Sequence, residues 1–194
     1  MKTMDLKKVR QAMKKCQDVK RYEHTLGVAY TASALAMRYE VTIKDAQLAG
    51  LLHDCAKCLS DEKKIKICEK HQIPVSEVEK RNPFLLHAKV GGFLAREKYG
   101  VQDEDILNSI LNHTTGRPEM STLEKIIFIA DYIEPGRKEA PHLTELRKLA
   151  FIDLDRTLIG ILKDTLAYLE KKGGEMDPMT RNTYEYYCKE SREA

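Results

Sequence analysis

The sequence predicts an all-α, single-domain helical bundle, and three observations lead to that class. Apolar residues recur at spacings of three and four through nearly the whole chain, the period of a helix with one buried face. No stretch alternates apolar and polar residues between turn signals, as a half-buried strand would. The 194 residues suffice to enclose one sizeable core, whereas two domains would each be cramped.

Leu6, Val9, Met13 and Cys16 mark a first amphipathic helix, and an Ala- and Leu-rich second runs from about Arg21 to Arg38. Thr42 followed by Asp45 has the form of a capping box, opening a third helix that ends at Leu52 and leaves His53 and Asp54 at its C-terminal end. A fourth helix starts after Ser60, and Ile73 to Arg81 reads as a loop with one short helical turn. Asn82 with Pro83 begins a fifth helix carrying His87, Val90 and Leu94 on one face, ended by Gly100. Asp103 opens a sixth, aligning Ile106, Ile110 and His113. After the turn-rich TTGRPEM, Ser121 with Glu124 caps the helix LEKIIFIADYIEP, whose inward stripe includes Asp131 and which Pro135 and Gly136 stop. Helices over Leu143 to Ala150 and Leu154 to Lys171, a turn at Gly173 and Gly174, and a last helix from Pro178 to about Lys189 complete the chain. The metal-ligand core is expected over about 20–137, with the helices of about 143–189 packed on it.

Composition narrows the function. Lys and Arg number 33 against 30 Asp and Glu, with the signs interspersed, so no nucleic-acid-binding face is indicated. No apolar run approaches the ~20 residues of a membrane helix, and MKTMDLKKVR turns charged too soon for an export signal. We expect a soluble, cytoplasmic protein with no membrane partner. The 5 cysteines, odd in number, read as reduced thiols, and the C-x-x-C of Cys55 and Cys58 lacks the second pair a structural zinc site needs.

Chemistry enters with the histidines. A His-Asp dipeptide alone is most often a satisfied polar pair, but His24, His53, His87 and His113 each fall near a helix end or on an apolar stripe, accompanied by Asp54 and Asp131. Buried carboxylates without a cation are costly, and facing helices commonly build metal sites. His71 and His142 match no such position and are expected at the surface.

The order His24, His53-Asp54, His87, His113, Asp131, with the phrases RYEHTLGVA, AGLLHDCAK, HAKVGG, ILNHTTGRPEMS and LEKIIFIADYIEPGR, resembles the HD-domain phosphohydrolases. Within that superfamily it resembles the YqeK-type symmetrical dinucleoside tetraphosphatases. The resemblance implies an HD-type bundle in which His24, His53, Asp54 and Asp131 bind one metal, iron first, with manganese or zinc as alternatives. His87 and His113 would complete a second metal position or face substrate phosphates, so one or two ions are accommodated. Imidazole and carboxylate donors suit these metals better than magnesium. The implied catalytic residues are Asp54, His87 and His113, around a metal-activated water whose pKa falls to about 7. Arg21, Lys57, Thr114 and Arg137 lie beside the proposed ligands and join Asp54, His87, His113 and Asp131 as candidate substrate contacts. Arg181, with the tyrosines of MTRNTYEYY, is a further candidate for phosphate and base, although those aromatics equally suit packing on the bundle.

The implied reaction is hydrolysis of diadenosine tetraphosphate, a dinucleoside polyphosphate, to two ADP by a homodimer. Hydrolysis of another nucleotide (a nucleoside mono- or triphosphate, a guanosine alarmone or a cyclic nucleotide) and non-catalytic nucleotide sensing stay open, since a fold hosts many functions.

Overall fold

The computed structural model describes residues 5–173 and 175–193, and these form eleven α-helices and one 3-10 turn, with no strand among them. Gly174, half of the turn read above, lies outside the described residues. Helices α1 (Leu6–Cys16), α2 (Val19–Arg38) and α3 (Ile43–Leu52) open the chain, and α3 packs along α2. The Ala-rich face of α2 permits this: a Cβ on Gly50 of α3 would lie 2.7 Å from the Ala29 Cα, so only glycine lets the two backbones approach so closely. That approach places His24, early on α2, beside His53, which caps the end of α3.

α4 (Asp61–Lys70) and α5 (Glu77–Arg81) follow, then the 3-10 turn Pro83–Leu86, α6 (His87–Glu97) and α7 (Glu104–Leu111). α8 (Thr122–Ile133) packs against α2, α3, α7 and α10, and is buried nearly all round, through Leu123, Ile126, Ile127, Phe128, Ile129, Ala130 and Ile133. α9 (Leu143–Leu149), α10 (Leu154–Lys172) and α11 (Pro178–Glu193) cover it from the C-terminal side. The core joins Leu35, Leu52, Ile110, Ile126, Ile129, Leu158 and Ile161; burying each such side chain stabilises the fold by about 1.5–3 kcal/mol. Side-chain N-caps at Asp18, Ser60, Ser76, Asp103, Ser121 and Asp153 satisfy amides that helix starts leave open, each worth about 1 kcal/mol.

Several boundaries differ from the sequence reading. Thr42 precedes α3 but makes no side-chain cap, so that capping box does not form. α2 begins at Val19, because Asp18 accepts from the Arg21 amide and starts the helix earlier. The fifth helix is divided: after Pro83 the chain makes a tighter 3-10 turn, the Leu85 amide reaching the Asn82 carbonyl, and α-helical geometry starts at His87. α6 ends at Glu97, before Gly100 turns the chain at φ 69°. α7 ends at Leu111, so His113 lies in the following turn instead of on the helix.

Cys55 is buried and donates to the Gly91 carbonyl at 3.5 Å, Cys58 is exposed, and all the cysteines are free. His71 and His142 are exposed as expected. No helix among the described residues is long and apolar enough to cross a membrane.

Candidate metal centre

Six side chains from five places in the chain meet in the interior. His24, His53 and Asp131 have ligating atoms within 4.8 Å of one another, and so do Asp54, His87 and His113. His24 Nε2 lies 3.0 Å from Asp131 Oδ1. Asp54 stands between the groups, with Oδ2 3.6 Å from His53 Nε2, and Oδ1 3.5 Å and 3.6 Å from Nε2 of His87 and His113.

Local geometry explains why the Nε2 atoms face inward. His53, His87 and His113 each turn Nδ1 toward the carbonyl three residues earlier, Gly50, Phe84 and Ile110, at 2.7, 2.8 and 2.7 Å. A carbonyl only accepts, so Nδ1 carries the proton and Nε2 is left with a lone pair. The ends of α3 and α7 supply two of these carbonyls, where the last C=O groups lack helical partners, and the 3-10 turn supplies that of Phe84, which also accepts the His87 amide. His24 differs: its Nδ1 faces the Glu134 carboxylate at 3.1 Å.

This donor set fits a cation. Nε2 of His87 and of His113 are 3.2 Å apart, each a lone pair once Nδ1 is protonated. His53 Nε2 and Asp54 Oδ1 are buried with no hydrogen-bond partner. Orphaned buried acceptors are costly without positive charge nearby and stabilising around a metal. Imidazole and carboxylate together suit iron, manganese or zinc.

Electrostatics agree. Burial pushes His53 down to about 4, against the pull of Asp54 and Asp131. Burial, His113 and Lys57 push His87 down to about 3. Both are therefore neutral, the form that ligates metal. Burial alone would raise Asp54 and Asp131, but the surrounding histidines, with Lys57 beside Asp54 and Arg137 beside Asp131, hold both carboxyls well below the usual range. Burial likewise opposes protonation of His24, yet Asp131 and Glu134 outweigh it and raise its pKa.

The candidate phosphate-holding groups surround this core. Arg21 Nη1 is 2.7 Å from Asp54 Oδ2. Lys57 Nζ is 3.2 Å from His87 Nε2, and burial lowers its pKa below the ordinary lysine value. Thr114 Oγ1 lies 3.3 Å from Nε2 of both His87 and His113. Arg137 donates to the Asp131 carboxylate at 2.9 Å. A cleft of about 520 Å³ opens beside His24, lined by Lys20, Arg21, Gly27, Glu134 and Arg137. Arg181 sits elsewhere, paired with Glu170 at 2.8 Å on the exposed seam of α10 and α11, and no hydrogen bond or ion pair among the described residues joins it to the histidines. Tyr187 is buried, and Tyr184 and Tyr186 pack against the core.

Besides Lys20 in the cleft, two buried residues at the site were absent from the sequence candidates. Glu134 is buried and touches His24; its only signal was its place beside Pro135 in IEPGR. Gln17, also buried, donates to the Asp54 carbonyl at 3.4 Å and carries no local signal.

Known proteins resemble this chain along most of its length. The family model for the HD domain matches residues 21–136. A symmetrical bis(5'-nucleosyl)-tetraphosphatase of Bacillus subtilis is 45% identical over 166 residues, 86% of this chain and 88% of its own. One of the same name from Staphylococcus aureus is 36% identical over 186 residues, 95% of each chain. The crystal structure of a predicted HD superfamily hydrolase involved in NAD metabolism from Clostridium acetobutylicum superposes with a TM-score of 0.92 at 42% identity, over 96% of this chain and 98% of that one.

Proposed function

This chain belongs to the HD-domain family, and from that membership we propose that it is a metal-dependent phosphohydrolase that cleaves dinucleoside tetraphosphates symmetrically, diadenosine tetraphosphate giving two ADP. The tetraphosphatases of this name, 36% to 45% identical over most of the chain, support the substrate. The observation that carries the chemistry is Asp54, whose two oxygens reach His53 on one side and His87 and His113 on the other.

In this reading His24, His53, Asp54 and Asp131 hold one ion, and His87 and His113 with Asp54 complete a second position or face the phosphates. Iron is the proposed metal, with manganese or zinc as alternatives that the donor set equally supports. When bound, such a metal supplies Lewis acidity toward phosphoryl oxygens and lowers the pKa of water to about 7. Arg21, Lys20 and Arg137 line the cleft and provide cations for a polyphosphate chain. Lys57 and Thr114, within 3.3 Å of His87 Nε2, hold charge that spreads over the transferring phosphoryl oxygens.

The free thiols and the lack of a membrane-crossing helix among the described residues support a cytoplasmic location. A homodimer is proposed from the family resemblance and is checked by sedimentation. The deciding experiment incubates iron-, manganese- and zinc-loaded protein with diadenosine tetraphosphate and separates the products. ADP as sole product is expected; ATP plus AMP, or no turnover with any of the three metals, overturns the reading.

A further inference from the structure

Of the four histidines at the site, three are oriented by backbone carbonyls three residues earlier in the chain. His24 alone is oriented by a side chain from elsewhere, Glu134, the residue that ends α8. We propose that Glu134 is a positioning residue of the metal centre, fixing the His24 ring with its proton on Nδ1 so that Nε2 faces the ion. The inference rests on the metal reading of the site.

The carboxylate is itself held at several points. Oε1 faces His24 Nδ1 at 3.1 Å, and Oε2 accepts the Gly136 amide. The Glu134 amide closes α8 on the Ala130 carbonyl at 3.0 Å. Arg147 clamps the backbone, donating to the carbonyls of Ile133, Glu134 and Arg137 at 2.9, 2.9 and 3.0 Å. The side chain is only 4% exposed. Space was left for it as well. A Cβ on Gly27, one turn after His24 on α2, would collide with Oε2 and lie 3.1 Å from Cδ; one on Gly136 would lie 2.9 Å from Oε2.

This arrangement joins both ends of the first ligand group. His24 comes from α2 and Asp131 from α8, and Glu134 follows Asp131 by one helical turn while gripping His24. The Gly136 amide it accepts belongs to the turn carrying Arg137, which in turn grips Asp131. A carboxylate accepting from a ligating imidazole fixes its tautomer and raises its basicity, and losing such a partner lowers metal affinity or activity by about 10–100-fold.

Cobalt(II) titration tests this, reading affinity and visible ligand-field absorption on folded protein. In Glu134→Gln one oxygen becomes an NH2 group, so one of the two accepted hydrogen bonds is lost or His24 is driven to carry its proton on Nε2. We expect about 10–100-fold weaker cobalt binding and an altered spectrum. Gly27→Ala is the second variant, because it displaces the same carboxylate while improving helix propensity at an interior position by about 1 kcal/mol. Weaker binding in Gly27→Ala, at a melting temperature equal to or above the wild type's, separates positioning from general stability. Wild-type affinity and spectrum in both variants overturn the inference. If wild-type protein itself fails to bind cobalt, the metal reading falls and the inference with it.

Discussion

Nε2 of His24 lies 3.0 Å from Oδ1 of Asp131, so the second helix and the eighth each bring a ligating atom to the same point. Neither residue has a local reason to meet the other. Their approach is set by α2 packing on α8, and the remaining ligating groups gather around that contact.

Asp54→Ala removes the carboxylate that touches both histidine groups. Metal content measured by elemental analysis should fall well below stoichiometric, and turnover of diadenosine tetraphosphate by about 10³-fold or more. Normal turnover in this variant would eliminate Asp54 as the shared ligand.

Arg137→Ala should separate substrate handling from metal binding. The guanidinium is partly exposed, 44% at its side chain, and touches Asp131 from outside the cluster. Loss of one charged hydrogen bond to phosphate, about 1.5–3 kcal/mol, corresponds to a drop in kcat/KM of about 10–100-fold. Metal content should be unchanged; a metal-free variant would move Arg137 into the ligand framework.

Acid should destabilise the chelator-treated protein well before carboxylates titrate. His53 and His87 have folded pKa values near 4 and 3 against an ordinary 6.5. Below pH 6.5 the unfolded chain therefore takes up protons that the folded chain refuses, and stability falls as pH falls. His24, shifted upward, acts in the opposite sense, its stabilisation being lost as pH rises through its folded pKa, so it offsets part of this fall, whereas Asp54 and Asp131, shifted downward, change only at lower pH. The two histidines together cost about 4 kcal/mol between pH 7 and 5, the slope approaching about 1.4 kcal/mol per pH unit per group once the unfolded imidazoles are mostly protonated. Urea unfolding at pH 7 and pH 5 measures this; equal stability at both would mean that these rings are not buried in neutral form.

Tyr187→Phe probes how α11 supports the loop after His113. The Met120 amide donates to the Tyr187 hydroxyl at 2.8 Å in a buried setting. Removing that acceptor strands the amide, which should cost about 1–3 kcal/mol in denaturant unfolding while leaving metal content intact. A shift below 0.5 kcal/mol would indicate that the loop holds itself.

Helix positions and types were largely legible, because apolar periodicity and caps such as Asp103 and Ser121 with Glu124 act within one turn of chain. The errors share a cause. Thr42 had the right neighbour for a cap but makes no side-chain cap hydrogen bond, and Pro83 announced a helix start without revealing that a 3-10 turn would precede α6. The candidate cluster was legible through residue types and spaced phrases, whereas Glu134 was not, since a glutamate before proline at a helix end looks the same whether solvated or buried.

By itself the sequence determined the all-α class and the pool of imidazoles and carboxylates, and it placed His53 and Asp54 at a helix end, because hydrogen bonding and amphipathicity are written over a few neighbouring residues. Only the tertiary structure decided that six of these side chains share one pocket, that they divide into two groups about Asp54, and that Glu134 takes hold of His24. Those outcomes depend on how closely whole helices pack, down to the missing side chains of Gly27 and Gly50, and no local pattern encodes a distance between surfaces far apart in the chain.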